Sequence, residues 1–256
     1  MINKIFALTL CLLSLQSCLE KRTLNNKDIS GEIVDSSKEN IVIQHISAQP
    51  DGLHPYNSNS SFRTFIFQYT QKTLIKLDMK SLEYIPHLVE NMAEISEDGL
   101  KYTYKIKKGI KWDDGTLLTA KDVEHSVKTM LCPLTNNTAF RSNYSTVIKS
   151  IELFPEDPLK FTMHAKKLHV ENKFVFSELY LQQKDIWDPN AILDEISFEN
   201  LHSKDFDKYI VTEQLIEFFN DFNKDDFSYI PHLLQGLGAY QVTDWEKGQY
   251  IIIERK

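Results

Sequence analysis

Along this chain the apolar positions change period several times, and each change predicts an element. Leu100, Tyr102, Tyr104 and Ile106 alternate with Lys101, Thr103 and Lys105. Period two of this kind predicts a strand with one buried face. Ile110 and Trp112 resume the alternation beyond Gly109, and Asp114-Gly115 predicts a turn. Val123, Val127, Met130 and Leu131 then follow a helical period, with Thr119 and Asp122 at the spacing of a capping box. Upstream, Phe62, Phe65, Ile66, Tyr69 and position 73 or 74 form a second helical stripe, with Ser60 or Ser61 as N-cap.

The remaining patterns complete a mixed set. Ile41, Val42 and Ile43 are consecutive and β-branched, which predicts a strand buried on both faces. "LTNNTAFRSNYS" after Pro133 reads as a polar loop. Val147 to Phe154 and Leu159 to Ala165 read as a hairpin joined through "PEDP". From Ser203 to Phe222, the residues Val211, Leu215, Phe218, Phe219 and Phe222 share one helical face. Tyr240 to Trp245 and Gln249 to Glu254 read as two strands around a Glu-Lys-Gly turn. Strands and helices alternate without a fixed repeat, so the fold class is α/β of the mixed α+β kind.

The first residues follow a different rule. Lys4 precedes an apolar run, Ile5 to Leu15, that is shorter than the ~20 residues a spanning helix needs. This is the layout of a secretory signal, expected to occupy residues 1–17. "LQSC" resembles a bacterial lipobox, with Cys18 as the lipidated residue and Gln16 an uncommon residue at its place. An ordinary signal peptide with an incidental cysteine is the other reading. Residues 18–40 are polar and aperiodic, a flexible tether. The expected location is therefore exported and anchored by lipid, periplasmic or at the cell surface.

Composition narrows the function. Hydrophobic residues make up 42%, and 15 Phe with 11 Tyr support a sizeable core. A net charge of −7, with no run of more than two Lys or Arg, argues against nucleic acid as a partner. Once Cys11 is removed and Cys18 lipidated, Cys132 has no disulfide partner and reads as a small buried group. Motifs for a nucleophilic serine, a phosphate loop or a dinucleotide are absent. The eight histidines lack the spacing that puts two metal ligands on one helical face. Glu97-Asp98 and Asp113-Asp114 precede glycines and read as turn residues, and Asp225-Asp226 as loop charge. Neither an enzyme nor a cofactor or metal is expected.

One stretch is specific. Ile85 to Val123, "IPHLVENMAEISEDGLKYTYKIKKGIKWDDGTLLTAKDV", resembles the signature of the family 5 extracellular solute-binding proteins, receptors of ABC importers for peptides and nickel. Val89, Tyr104 and Asp113 depart from that pattern, Asp113 standing where a His is usual. "QPDGLHPYNS" and "GLGAYQVTDWEKGQYIIIERK" resemble flanking segments of the family.

The resemblance covers roughly residues 40–256 and implies a two-lobed clamshell of the periplasmic-binding-protein type II kind. It implies a first lobe from 41–76 and about 185–256, and a small subdomain from 77–184 that carries the signature as scaffold. The second lobe is expected to be absent. Ligand contacts are implied at Tyr56, Asn57, Asn59, Ser60, Phe62, Phe140 and Tyr144. The expected partners are a peptide or related small solute, a transporter permease, and a membrane through the lipid anchor. A short lipoprotein that binds another protein, and a non-functional fragment, are the alternative readings.

Overall fold

The computed structural model describes residues 42–58, 60–224 and 226–256, so the expected signal segment and tether lie outside the described residues. Residues 46–256 cluster as one unit. The period-two pattern around Tyr102 becomes a short strand, β4, and the sheet is built around it. The strands are β1 (Ile75–Leu77), β2 (Tyr84–Pro86), β3 (Glu94–Ile95), β4 (Lys101–Lys105), β5 (Ile148–Leu153), β6 (Lys160–Ala165), β7 (Tyr240–Glu246) and β8 (Tyr250–Arg255). Among the described residues they form three antiparallel groups: β1-β2, β3-β4-β6-β5 and β7-β8.

The four-stranded sheet follows its sequence closely. Tyr102 pairs with Met163 and Tyr104 with Phe161, all four buried on one face. The Tyr104 and Phe161 rings stack with centroids 5.5 Å apart. On the other face Thr103 pairs with Thr162, hydroxyl to hydroxyl at 2.8 Å. Cross-strand pairs of these kinds are what set register in an antiparallel sheet.

The longer helices among the described residues are α1 (Ser61–Thr70), α2 (Ala120–Leu131), α3 (Thr138–Ser145) and α4 (Glu213–Phe222). Ser60 caps α1, its hydroxyl accepting from the Phe62 N–H at 3.2 Å. At α2 the Asp122 carboxylate accepts from the Thr119 N–H at 2.8 Å and the Thr119 hydroxyl at 3.0 Å. Val123, Val127 and Met130 of α2 are fully buried in the main core with Tyr104, Phe161 and Met163. A second cluster, Leu53, Ile66, Phe67, Leu234 and Val242, lies between α1 and the β7-β8 hairpin.

The turn Lys111–Leu117 closes as the sequence predicts. Asp114 accepts from the Thr116 N–H at 2.9 Å, and Gly115 takes a φ of +87° that a side chain would resist. Gly236 and Gly238 have another reason to be small. A Cβ on either would overlap the carbonyl oxygens of Thr70 or Tyr69 at the end of α1.

Three expectations are corrected. Val42 and Ile43 form no strand and are 90% and 82% exposed; Ile41 lies outside the described residues. A strand that buries both faces needs neighbours along its edges and cover on both sides, and the apolar run alone cannot supply them. The segment after Pro133 is not all loop: α3 occupies Thr138–Ser145, started by the Asn137 side chain accepting from the Phe140 N–H at 3.0 Å. Its apolar face consists of Phe140 and Tyr144, too few for a periodic signal. The helix expected from Ser203 is broken. Thr212 caps α4, so Val211 precedes it, while Leu215, Phe219 and Phe222 are buried along its face.

Candidate ligand-binding site

The site begins with how a loop without secondary structure is held. In the segment before α1, His54 is fully buried, and its Nδ1 accepts from the N–H groups of Tyr56 (3.1 Å) and Asn57 (3.0 Å). That fixes the tautomer, so Nε2–H donates to the Phe222 carbonyl of α4 at 3.0 Å. Burial pushes the His54 imidazolium down to about 3, so the ring is neutral. The loop is thereby bolted to α4 from inside.

Tyr56 follows the ring inward. It is 1% exposed, and its hydroxyl is shared between the carbonyls of Ser126 in α2 (2.9 Å) and Tyr180 (3.3 Å). The Tyr56 carbonyl accepts from Asn137 at 2.6 Å, which draws the start of α3 onto the loop. Phe140 of α3 stacks on Tyr56 at 5.1 Å, and Tyr144 packs on Phe140 at 4.8 Å. Phe140 and Tyr144 are half-buried, and burial pushes the Tyr144 phenol up to about 12. An aromatic ladder thus rises from the core at Tyr56 to the surface at Tyr144.

Beside the ladder stands an amide network. The Asn57 side chain donates to Asn223 Oδ1 at 3.2 Å, and the same oxygen accepts from the Asn136 N–H at 3.1 Å. Asn223 in turn donates to the Leu134 carbonyl at 2.9 Å. Asn57 Oδ1 is buried and has no hydrogen-bond donor facing it among the described residues. Arg63, one turn into α1, donates to the carbonyls of His54 (3.2 Å) and Pro55 (2.6 Å) and lies over the Phe67 ring. Its Nε, and Nη1 of Arg141 on α3, are buried without an acceptor among the described residues.

The structure therefore brings Tyr56, Asn57, Phe140 and Tyr144 together, although the two pairs lie far apart along the chain. Ser60 is occupied as the cap of α1, and Phe62 is half-buried on its first turn. Tyr56 lies beneath the surface, holding Phe140 in place. Asn59 and Cys18 lie outside the described residues. Sequence reasoning passed over His54, Arg63, Asn137 and Asn223. The first two had a usable signal, a His and an Arg flanking a turn-rich loop, but their roles depend on distant carbonyls. Among the described residues no three His, Cys, Asp or Glu side chains converge as a metal site. Cys132 is buried and its thiol is pushed up to about 12, which makes it inert.

Residues 83–256 match the model described as bacterial extracellular solute-binding proteins, family 5 Middle. The oligopeptide-binding protein AppA of Bacillus subtilis is 26% identical over 199 residues, which is 77% of this chain and 30% of that protein. The oligopeptide-binding protein OppA of the same organism is 31% identical over 102 residues, 39% of this chain and 18% of that protein. The crystal structure of B. subtilis AppA with a nonapeptide overlays with a TM-score of 0.59 at 22% identity, over 82% of this chain and 35% of that one. NikZ of Campylobacter jejuni, solved with Ni(L-His), gives 0.54 at 20% identity, over 84% and 34%. The chain spans less than a third of the length of these two curated relatives. Its mixed α/β fold is that of part of such a molecule, and the chain belongs to the family 5 bacterial extracellular solute-binding proteins.

Proposed function

We propose that this chain captures a peptide, or a related small solute, for an ABC importer and delivers it to the transporter's permease. The observation that carries this reading is the seating of α3 on the early loop, which gathers Phe140 and Tyr144 of α3 near Tyr56 and Asn57. A peptide backbone offers a donor and an acceptor at each residue. Asn57 Oδ1, still lacking a donor, suits a ligand N–H, and the ladder's upper rings suit an apolar side chain. Tyr56 positions Phe140 from below, and Ser60 and Phe62 stand at the start of α1 beside the early loop. Residues 41–76 and about 185–256 are the first lobe in this reading, and 77–184 the small subdomain. Family membership and the overlay on peptide- and nickel-complex-bearing relatives support it.

The test is calorimetry of the full chain against a mixed pool of short peptides, followed by the best binder alone. Tyr144→Ala is expected to weaken that binder roughly tenfold, as truncation of a central aromatic contact does. Heat that is unchanged by Tyr144→Ala puts the ligand elsewhere. No heat with any peptide rejects peptide as the cargo. A second reading, a lipoprotein that docks on another protein, draws on Tyr250 and Ile252, apolar and 47% and 43% exposed on β8. It requires a stable hetero-complex that Ile252→Ser dissolves.

A further inference from the structure

We propose that the hollow between the end of α1 and the Gly238–Tyr240 segment is an oxyanion site, which takes hydrogen phosphate as its simplest ligand. This goes beyond the solute-capture reading and does not depend on it. The hollow measures about 150 Å³ and is lined by Tyr69, Gln71, Lys72, His87 and Tyr240 among others. That is several times the ~10–15 Å³ that one water occupies by the same measure. Gly238, one of the lining residues, passes against the end of α1 where a Cβ would overlap the Tyr69 carbonyl oxygen.

Its charge is one-sided. Lys72 lines the hollow, and Lys76 on β1, Lys107 and Lys256 all act on it electrostatically, each pushing its ammonium pKa down after burial has done so. Lys107 donates to the His87 carbonyl at 2.9 Å, which brings a second ammonium to the rim. Asp113 is engaged by Lys256 and by the Gly236 N–H at 2.9 Å. In a chain of net charge −7, a local cluster of lysines is opposed to the overall field.

Two buried polar atoms on residues lining the hollow lack partners among the described residues. His87 Nδ1 is buried without a hydrogen bond. The imidazole is held neutral, down to about 4, by burial and by Lys72, Lys76 and Lys107, so one of its nitrogens is free to donate. Gln71 is 9% exposed, and its Nε2 donates to the Gln235 carbonyl at 3.1 Å, which fixes the amide. Its Oε1 is then left as a buried acceptor with nothing donating to it. A small anion that also carries a hydroxyl satisfies both. Its charged oxygens meet Lys72 and the His87 N–H, and its hydroxyl donates to Gln71 Oε1. Sulfate at neutral pH has the charge and the shape but not the hydroxyl, and a site with a buried acceptor discriminates against it.

The experiment follows the His87 ring by NMR in the full chain, titrated with phosphate, sulfate or chloride at constant ionic strength. Phosphate is expected to raise the His87 pKa and to saturate, with sulfate at least roughly tenfold weaker. Lys72→Gln is expected to weaken phosphate roughly tenfold while leaving the fold intact, since it removes one charge at a partly exposed position. Gln71→Leu is expected to abolish the preference over sulfate. The proposal is overturned if phosphate moves His87 no more than chloride does. It is equally overturned if sulfate binds as tightly as phosphate, or if Lys72→Gln binds phosphate as the parent does.

Discussion

His54 uses both ring nitrogens, accepting at Nδ1 and donating at Nε2, so a second proton has no place to go. His125 is as deeply buried, with neither nitrogen partnered among the described residues. Burial lowers each from 6.5 to about 3, with the two lysines Lys184 and Lys128 adding to the effect at His125. Below pH 6.5 the unfolded chain takes up protons that the folded chain refuses, so stability falls as pH drops from 6.5 toward 3. Each ring costs at most about 1.4 kcal/mol per pH unit across that window. Urea titrations between pH 7 and pH 4 check this against His125→Leu. That variant loses no hydrogen bond and should show a slope shallower by about one proton. An identical slope would mean that His125 stays neutral in the unfolded chain, or charges in the fold.

At the scale of elements, Asp122 does more than cap a helix. Besides the Thr119 N–H and hydroxyl, it accepts from the Lys184 N–H at 2.9 Å, so one carboxylate joins α2 to a segment 62 residues on. Gln183 adds a second tie, donating to Asp114 at 2.6 Å. The signature turn and cap are therefore a fixture for the 183–184 segment as well as a corner of their own. Asp122→Ala should cost about 2–3 kcal/mol, the sum of a lost cap and a buried N–H left unpaired. Asp122→Asn, which keeps an acceptor, should cost less. The check is the denaturant midpoint at unchanged m-value. A loss below about 0.5 kcal/mol in the alanine variant would show that water replaces all three bonds. The cap was legible from Thr119 and Asp122 alone, whereas the bond to Lys184 was not, because no local pattern encodes it. The same holds for α3: its Asn137 cap is local, whereas the stacking of Phe140 on Tyr56 is not.

At the scale of the molecule, β8 carries apolar residues on both faces. Ile251 and Ile253 pack on the cluster under α1, while Tyr250 and Ile252 face outward. A strand apolar on both sides is one suited to cover on both sides, and an exposed edge of this kind favours association. Separately, the lipobox resemblance implies attachment to a membrane through Cys18. The full chain is expected to sediment with membranes and to be labelled by a radioactive fatty acid. Cys18→Ser should abolish both the label and the sedimentation. Label retained on the serine variant would refute the lipobox reading.

What the sequence settled by itself is what neighbours along the chain can enforce. The alternation around Tyr102 fixed a strand and its buried face, the Asp114-Gly115 pair fixed a turn, and Thr119 with Asp122 fixed a helix start. These rest on steric preference and hydrogen bonds spanning a few residues, so a local reading suffices. The tertiary structure decided the rest: that Val42 and Ile43 form no strand, that Tyr56 supports the surface from beneath, and that Asn57 meets Asn223. It also decided that His87, Gln71 and Lys72 share one hollow. Each of these depends on which distant carbonyl, ring or charge arrives alongside, and burial then sets the polarity that gives the group its role.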